Sequence, residues 1–138
     1  MASYKILFVS TNTEKAKHIG EIVEEMHQER LNDYDFSFAD SELLTSDIMK
    51  TQLPDIVILD SAAQDIDLIA INRLIKTYDN VITILLLEKD KSALPELLKN
   101  SNSFIQEPFL KEILISTIEA NLKTKKSYLT DFFNLFQL

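Results

Sequence analysis

Residues 54–60 (Pro-Asp-Ile-Val-Ile-Leu-Asp) constrain this chain more than any other stretch. Four consecutive apolar residues, 56–59, stand between a Pro-Asp start and an acidic stop. A short, non-alternating run rich in β-branched residues reads as a strand buried on both faces. Such strands belong to parallel sheets covered by helices. Asp60 then falls at the strand's carboxyl end, where open α/β sheets place their ligand chemistry.

The other segments fit around it. Residues 4–9 and 81–87 are further apolar runs, 35–39 alternate, and 103–106 are short; each predicts a strand. Ala16, Ile19, Ile22, Val23 and Met26 recur at helical spacing and predict a helix over 14–28. Ser41 opens a short helix, with Leu43, Leu44, Ile48 and Met49 expected inward. Ile66, Ile69, Leu74, Ile75 and Tyr78 mark a third helix. Leu94, Leu97 and Leu98 mark a fourth, with Pro95 in its first turn, where proline is tolerated. Residues 110–122 predict a fifth, with Leu110, Ile113, Leu114, Ile118 and Leu122 on one face. Strands alternating with helices through short links specify a flavodoxin-like α/β fold: a five-stranded parallel sheet, (βα)5, in three layers. Residues 1–123 are expected to form this domain.

Composition removes several functions. A single glycine, Gly20, leaves no room for a glycine-rich phosphate cradle. The absence of Cys excludes thiol catalysis and thiolate metal sites, and two histidines, His18 and His27, are too few for a His cluster. A net charge of −8 argues against nucleic-acid binding by this domain. There is no apolar run of membrane-spanning length and no signal-peptide profile, so a cytoplasmic protein is the default expectation. No catalytic trio converges, and a non-enzymatic role is expected.

The element order, with Asp60 after the third strand, resembles the receiver (CheY-like) domain of bacterial response regulators over roughly residues 4–122. Asp60 matches that family's phosphoacceptor. The segment Phe-Ile-Gln-Glu-Pro-Phe at 104–109 is similar to its aromatic-x-x-Lys-Pro-Phe segment. Phe104 matches the switch aromatic on the output surface, and Pro108 a proline usually preceded by a cis bond. The departures are as informative. The acidic pair that holds Mg²⁺ is replaced by Ser10 and Thr11, the phosphate-binding Thr or Ser by Leu85 or Leu86, and the Lys by Glu107. The Met-Pro and Asp-Gly features are missing from 61–68.

Phosphoryl transfer to a carboxylate relies on positioning and charge neutralisation. Mg²⁺ prefers hard oxygens, usually including carboxylates, and the Ser10 and Thr11 hydroxyls are poor substitutes. Glu107 is expected to repel a phosphoryl group, and two adjacent carboxylates would raise one pKa. The resemblance with these departures implies an atypical receiver: a phosphorylation-independent interaction module in signal transduction, without cofactor or metal. Asp60 is expected to accept bonds from Ser10, Thr11 or loop amides. The alternative is a phosphoacceptor modified on Asp60 by a histidine kinase, with Mg²⁺. Glu88 and Asp90 could approach the same crevice.

The tail is extra. Lys123, Lys125 and Lys126 make a basic hinge. Leu129, Phe132, Phe133 and Phe136 then fall at i, i+3, i+4, i+7, one helical stripe. Residues 124–138 therefore read as an amphipathic helix. It pairs with another chain, giving a homodimer or partner interface, or folds back, or leads into an output domain.

Overall fold

The computed structural model describes residues 2–29, 32–89 and 95–136, with side chains described as far as Lys125. Five strands alternate with five helices: β1 (Ser3–Val9), α1 (Thr13–Glu29), β2 (Asp33–Ala39), α2 (Glu42–Gln52), β3 (Ile56–Asp60), α3 (Leu68–Lys76), β4 (Ile82–Leu87), α4 (Pro95–Asn100), β5 (Ser103–Gln106) and α5 (Lys111–Phe136). All strand pairings are parallel, in the order β2-β1-β3-β4-β5. This is the flavodoxin-like sheet that the alternation predicts.

The strand sequences divide into two cores. Every residue of β3 is buried. Ile56 and Ile58 join Ile6, Phe8, Ile84 and Leu86 under α1 and α5. Val57 and Leu59 join Leu7, Val9 and Leu85 under α2, α3 and α4. Each fully buried large apolar side chain contributes roughly 1.5–3 kcal/mol. The central strands therefore hold the sheet in register, and with it the carboxyl edge where Asp60 stands.

Helix starts are fixed by side chains. Ser41 accepts from the Leu44 amide at 3.1 Å and Asp67 from the Ala70 amide at 3.0 Å, each filling an N-terminal donor. Before α1, the Asn12 side chain accepts from the Lys15 amide at 3.0 Å.

Three helix faces differ from the expected ones. In α2 the buried residues are Thr45, Ile48 and Met49, while Leu43 is 83% exposed. Thr45 can turn inward because its hydroxyl donates to the Ser41 carbonyl at 2.7 Å, leaving no buried polar group unpaired. In α3 the inward stripe is Leu68, Ile71, Asn72 and Ile75; Ile66 and Tyr78 lie beyond the helix ends. In α5 the buried stripe is Leu114, Ile115, Ile118 and Leu122; Leu110 and Ile113 are exposed. Leu110 precedes the helix, which begins at Lys111, and Ile115 rather than Ile113 accompanies Leu114 on the buried face.

Helix α5 also runs unbroken through Lys123, Lys125 and Lys126, where a hinge was expected. The stripe of Leu129, Phe132, Phe133 and Phe136 lies on the helix but outside the described side chains, and Asp90 and Leu94 lie outside the described residues.

Candidate functional site

Parallel strands bring their carboxyl ends to one edge of the sheet. There β1 delivers Ser10, β3 delivers Asp60 and β5 delivers Glu107. The Ser10 amide donates to the Ala39 carbonyl at 3.1 Å and the Glu107 amide to Leu87 at 2.7 Å, extending the sheet's bonding into these loops. Helix α1 starts at the same edge, so Lys15 in its first turn faces the strand ends.

Lys15 is the residue that the sequence reading missed. Its Nζ lies 3.1 Å from Asp60 Oδ1 and 2.9 Å from Glu107 Oε1. Asp60 also accepts from the Ser10 hydroxyl at 2.6 Å through Oδ2, and from the Ala62 amide at 3.0 Å through Oδ1. The Asp60 side chain is 1% exposed, against 17% for Lys15 and 19% for Glu107. One ammonium thus joins α1, β3 and the residue following β5. Burial pulls the Lys15 pKa down, but its hydrogen bonds to Glu107 and Asp60 outweigh that and hold it above the ordinary lysine value. Hydrogen bonds between ionised partners are roughly twice as strong as neutral ones.

This changes the expected electrostatics. Glu107 and Asp60 do not meet as uncompensated carboxylates, because the Lys15 ammonium stands between them. The cation lies on the α1 side and the acid after β5, opposite to the family's acidic pair after β1 and lysine after β5.

The other candidate residues are placed as follows. Ser10 bonds Asp60, whereas the Thr11 hydroxyl accepts from the Gln64 amide at 2.9 Å and ties two loops together. The strand register pairs Asp60 with Leu86 and Leu59 with Leu85; both leucines are fully buried. The Glu88 amide donates to the Ser61 hydroxyl at 3.1 Å. Phe104 is 62% exposed. The bond before Pro108 is cis. His18 lies beside Phe109, with ring centroids 6.4 Å apart, and His27 Nδ1 accepts from the Tyr34 amide at 3.2 Å.

The donor set does not fit the Mg²⁺ ion that the receiver resemblance implies. Mg²⁺ demands a near-octahedral oxygen shell. Both Asp60 oxygens are engaged, and the Ser10 and Thr11 hydroxyl oxygens accept from the Asn12 and Gln64 amides. An incoming dication would meet the Lys15 ammonium. Among the described residues no group of three or more His, Cys, Asp or Glu is arranged to hold a metal.

Against known proteins, no family model and no curated sequence matches the chain. Solved structures do match. A response regulator (signal receiver domain) from Bermanella marisrubri superposes with a TM-score of 0.75 at 18% identity, covering 87% of this chain and 98% of its own. The signal receiver domain of a signal transduction histidine kinase from Syntrophus aciditrophicus gives 0.70 at 21% identity, covering 88% and 91%. NtrX from Brucella abortus gives 0.80 at 18% identity, covering 93% of this chain but 29% of NtrX. The chain has the receiver fold. On that fold Asp60 stands after β3, Glu107 follows β5, and the receiver's carboxyl edge is closed by Lys15 from α1. Among the described residues, no helix is long and apolar enough to cross a membrane.

Proposed function

We propose that this chain is an atypical receiver that acts in signal transduction as a phosphorylation-independent interaction and self-association module. The observation that carries this reading is the Lys15 ammonium held by Asp60 and Glu107. In a working receiver the acceptor carboxylate must attack phosphorus with its charge offset by a metal and a lysine. Here the internal ion pair and the Ser10 bond engage both Asp60 oxygens, and Glu107 adds a negative charge on the side from which a phosphoryl group would be held. Loss of one such stabilising group costs about 2.7–4 kcal/mol in well-studied enzymes. Losing the metal-holding acids, the hydroxyl and the lysine together removes useful transfer. The site's role is then to fix one conformation of the edge formed by the β1–α1, β3–α3 and β5–α5 loops.

What the module binds is a protein: another signalling protein, such as a histidine kinase, or a second copy through Leu129, Phe132, Phe133 and Phe136. No cofactor is needed for either.

A second reading has one observation in its favour. Lys15 and the Ala62 amide both point at Asp60 Oδ1, and together they could neutralise a phosphoryl group without the family's lysine. Incubation with a small phosphodonor and Mg²⁺, read by intact mass, separates the two. The expected result is unmodified protein. An added phosphoryl mass that disappears in Asp60→Ala overturns the proposal.

A further inference from the structure

The groove between α1 and the outer edge of β2 takes no part in the Asp60 site. Strand β2 is an edge strand, paired only with β1 in the described sheet. The groove encloses about 730 Å³. Its floor includes Gly20, Phe36 and Phe38, and its rim carries Glu21, Glu24 and Asp35 against one basic residue, Lys17. Gly20 is the chain's only glycine and stands inside a helix, where glycine costs about 1 kcal/mol relative to alanine. A Cβ there would come within 3.0 Å of the Phe36 ring, so the glycine lets the ring lie against the helix and keeps the floor low.

We propose that this groove is the seat for residues 126–136 of a second copy of the chain; this rests on the self-association reading above. The two surfaces match in charge, order and length. Lys125 is held by Asp55 of its own domain at 3.1 Å, so the charged lead into the tail is Lys123 and Lys126, and Leu129, Phe132, Phe133 and Phe136 follow. Leu122 and Lys123 border Tyr4 and Tyr34, so α5 leaves its domain near the amino-terminal ends of β1 and β2. Entering a partner's groove from that same end, the tail meets the acids Glu24, Glu21 and Asp35 first. The apolar stretch by Gly20, Phe36 and Phe38 follows, because α1 runs antiparallel to β2. Eleven helical residues span about 17 Å. The part of β2 that borders the groove, residues 34–38, spans about 17 Å. Parallel tail-on-tail pairing would instead crowd the lysines of both copies together, where like charges repel. Reciprocal insertion closes a two-fold dimer with nothing left to propagate.

Sedimentation velocity across a concentration series tests this on the full chain. Wild type is expected to reach twice the chain mass. Glu21→Lys with Glu24→Lys, two exposed positions that leave the core intact, should weaken the dimer by about tenfold or more, through lost rim pairs and new repulsion. Adding Lys123→Glu and Lys126→Glu to that variant should restore most of the affinity. Circular dichroism confirms that each variant is folded. A groove variant that dimerises within about twofold of wild type, or a charge-swapped variant that fails to recover, overturns the groove assignment alone. A wild-type chain that stays monomeric overturns it together with the self-association part of the proposed function.

Discussion

Replacing Lys15 with methionine tests the ion-paired site directly. The substitution keeps the apolar stem and removes the ammonium. Asp60, 1% exposed, would keep the Ser10 hydroxyl and the Ala62 amide but lose its only described cation. Breaking a buried pair by removing one partner costs about 3–5 kcal/mol. Lys15 and Glu107 retain 17% and 19% exposure, so water can reach the orphaned carboxylates. The expected loss is therefore nearer 2–3 kcal/mol, a large share of the 5–15 kcal/mol typical of a domain. Urea unfolding followed by far-ultraviolet circular dichroism measures it; the chain has no Trp. Adding Asp60→Asn to Lys15→Met should recover part of the loss, with a coupling of about 1–3 kcal/mol. The effect has a pH signature. The Lys15 pKa is raised above its ordinary 10.5, so the pair's contribution is complete below 10.5 and fades as pH climbs through the folded-state value. The stability gap between wild type and Lys15→Met should be flat through neutral pH and close in strong alkali. A loss below about 0.5 kcal/mol would place the contact among ordinary surface pairs and refute the reasoning.

Helix caps and the chain's one glycine give smaller, independent tests. Ser41→Ala and Asp67→Ala should each cost about 1 kcal/mol in the same urea assay, because each strands a helix-terminal amide. Unchanged midpoints would mean that water replaces the caps fully. Gly20→Ala should gain up to about 1 kcal/mol from helix propensity. The half-buried Phe36 borders an open groove and can yield the few tenths of an ångström that a Cβ requires. A loss of more than about 1 kcal/mol would show that the ring is held rigidly.

The sequence exposed the sheet well and the helix faces less well. Residues 56–59 could hardly be anything but a strand buried on both sides, and β3 is buried throughout. For α2, a count of apolar residues favoured Leu43 over Thr45, yet Thr45 is the one inside. A threonine satisfied by its own helix buries as readily as a leucine, which a count of apolar residues cannot register. Asn72 on α3 also points inward, although its Oδ1 is buried without a hydrogen-bond partner among the described residues.

The candidate site divides in the same way. Asp60, Ser10 and Glu107 were legible because each ends a strand and matches a family position. Lys15 was not, though it is the residue that decides what the others do. One clue was present: an acid where the family keeps a lysine leaves a charge deficit, and α1 offers a lysine in its first turn at the same edge. Nothing local required that they meet, since 45 and 92 residues separate Lys15 from its two partners.

By itself the sequence determined the parallel sheet, its two cores and the position of Asp60 at the carboxyl edge. These follow from the period and length of apolar runs, which are local properties. Only the tertiary structure decided that the carboxylate is matched by an ammonium from another element and that the family's metal has no fitting shell. Ion pairing depends on distances across the fold, and a one-dimensional pattern carries no such distances.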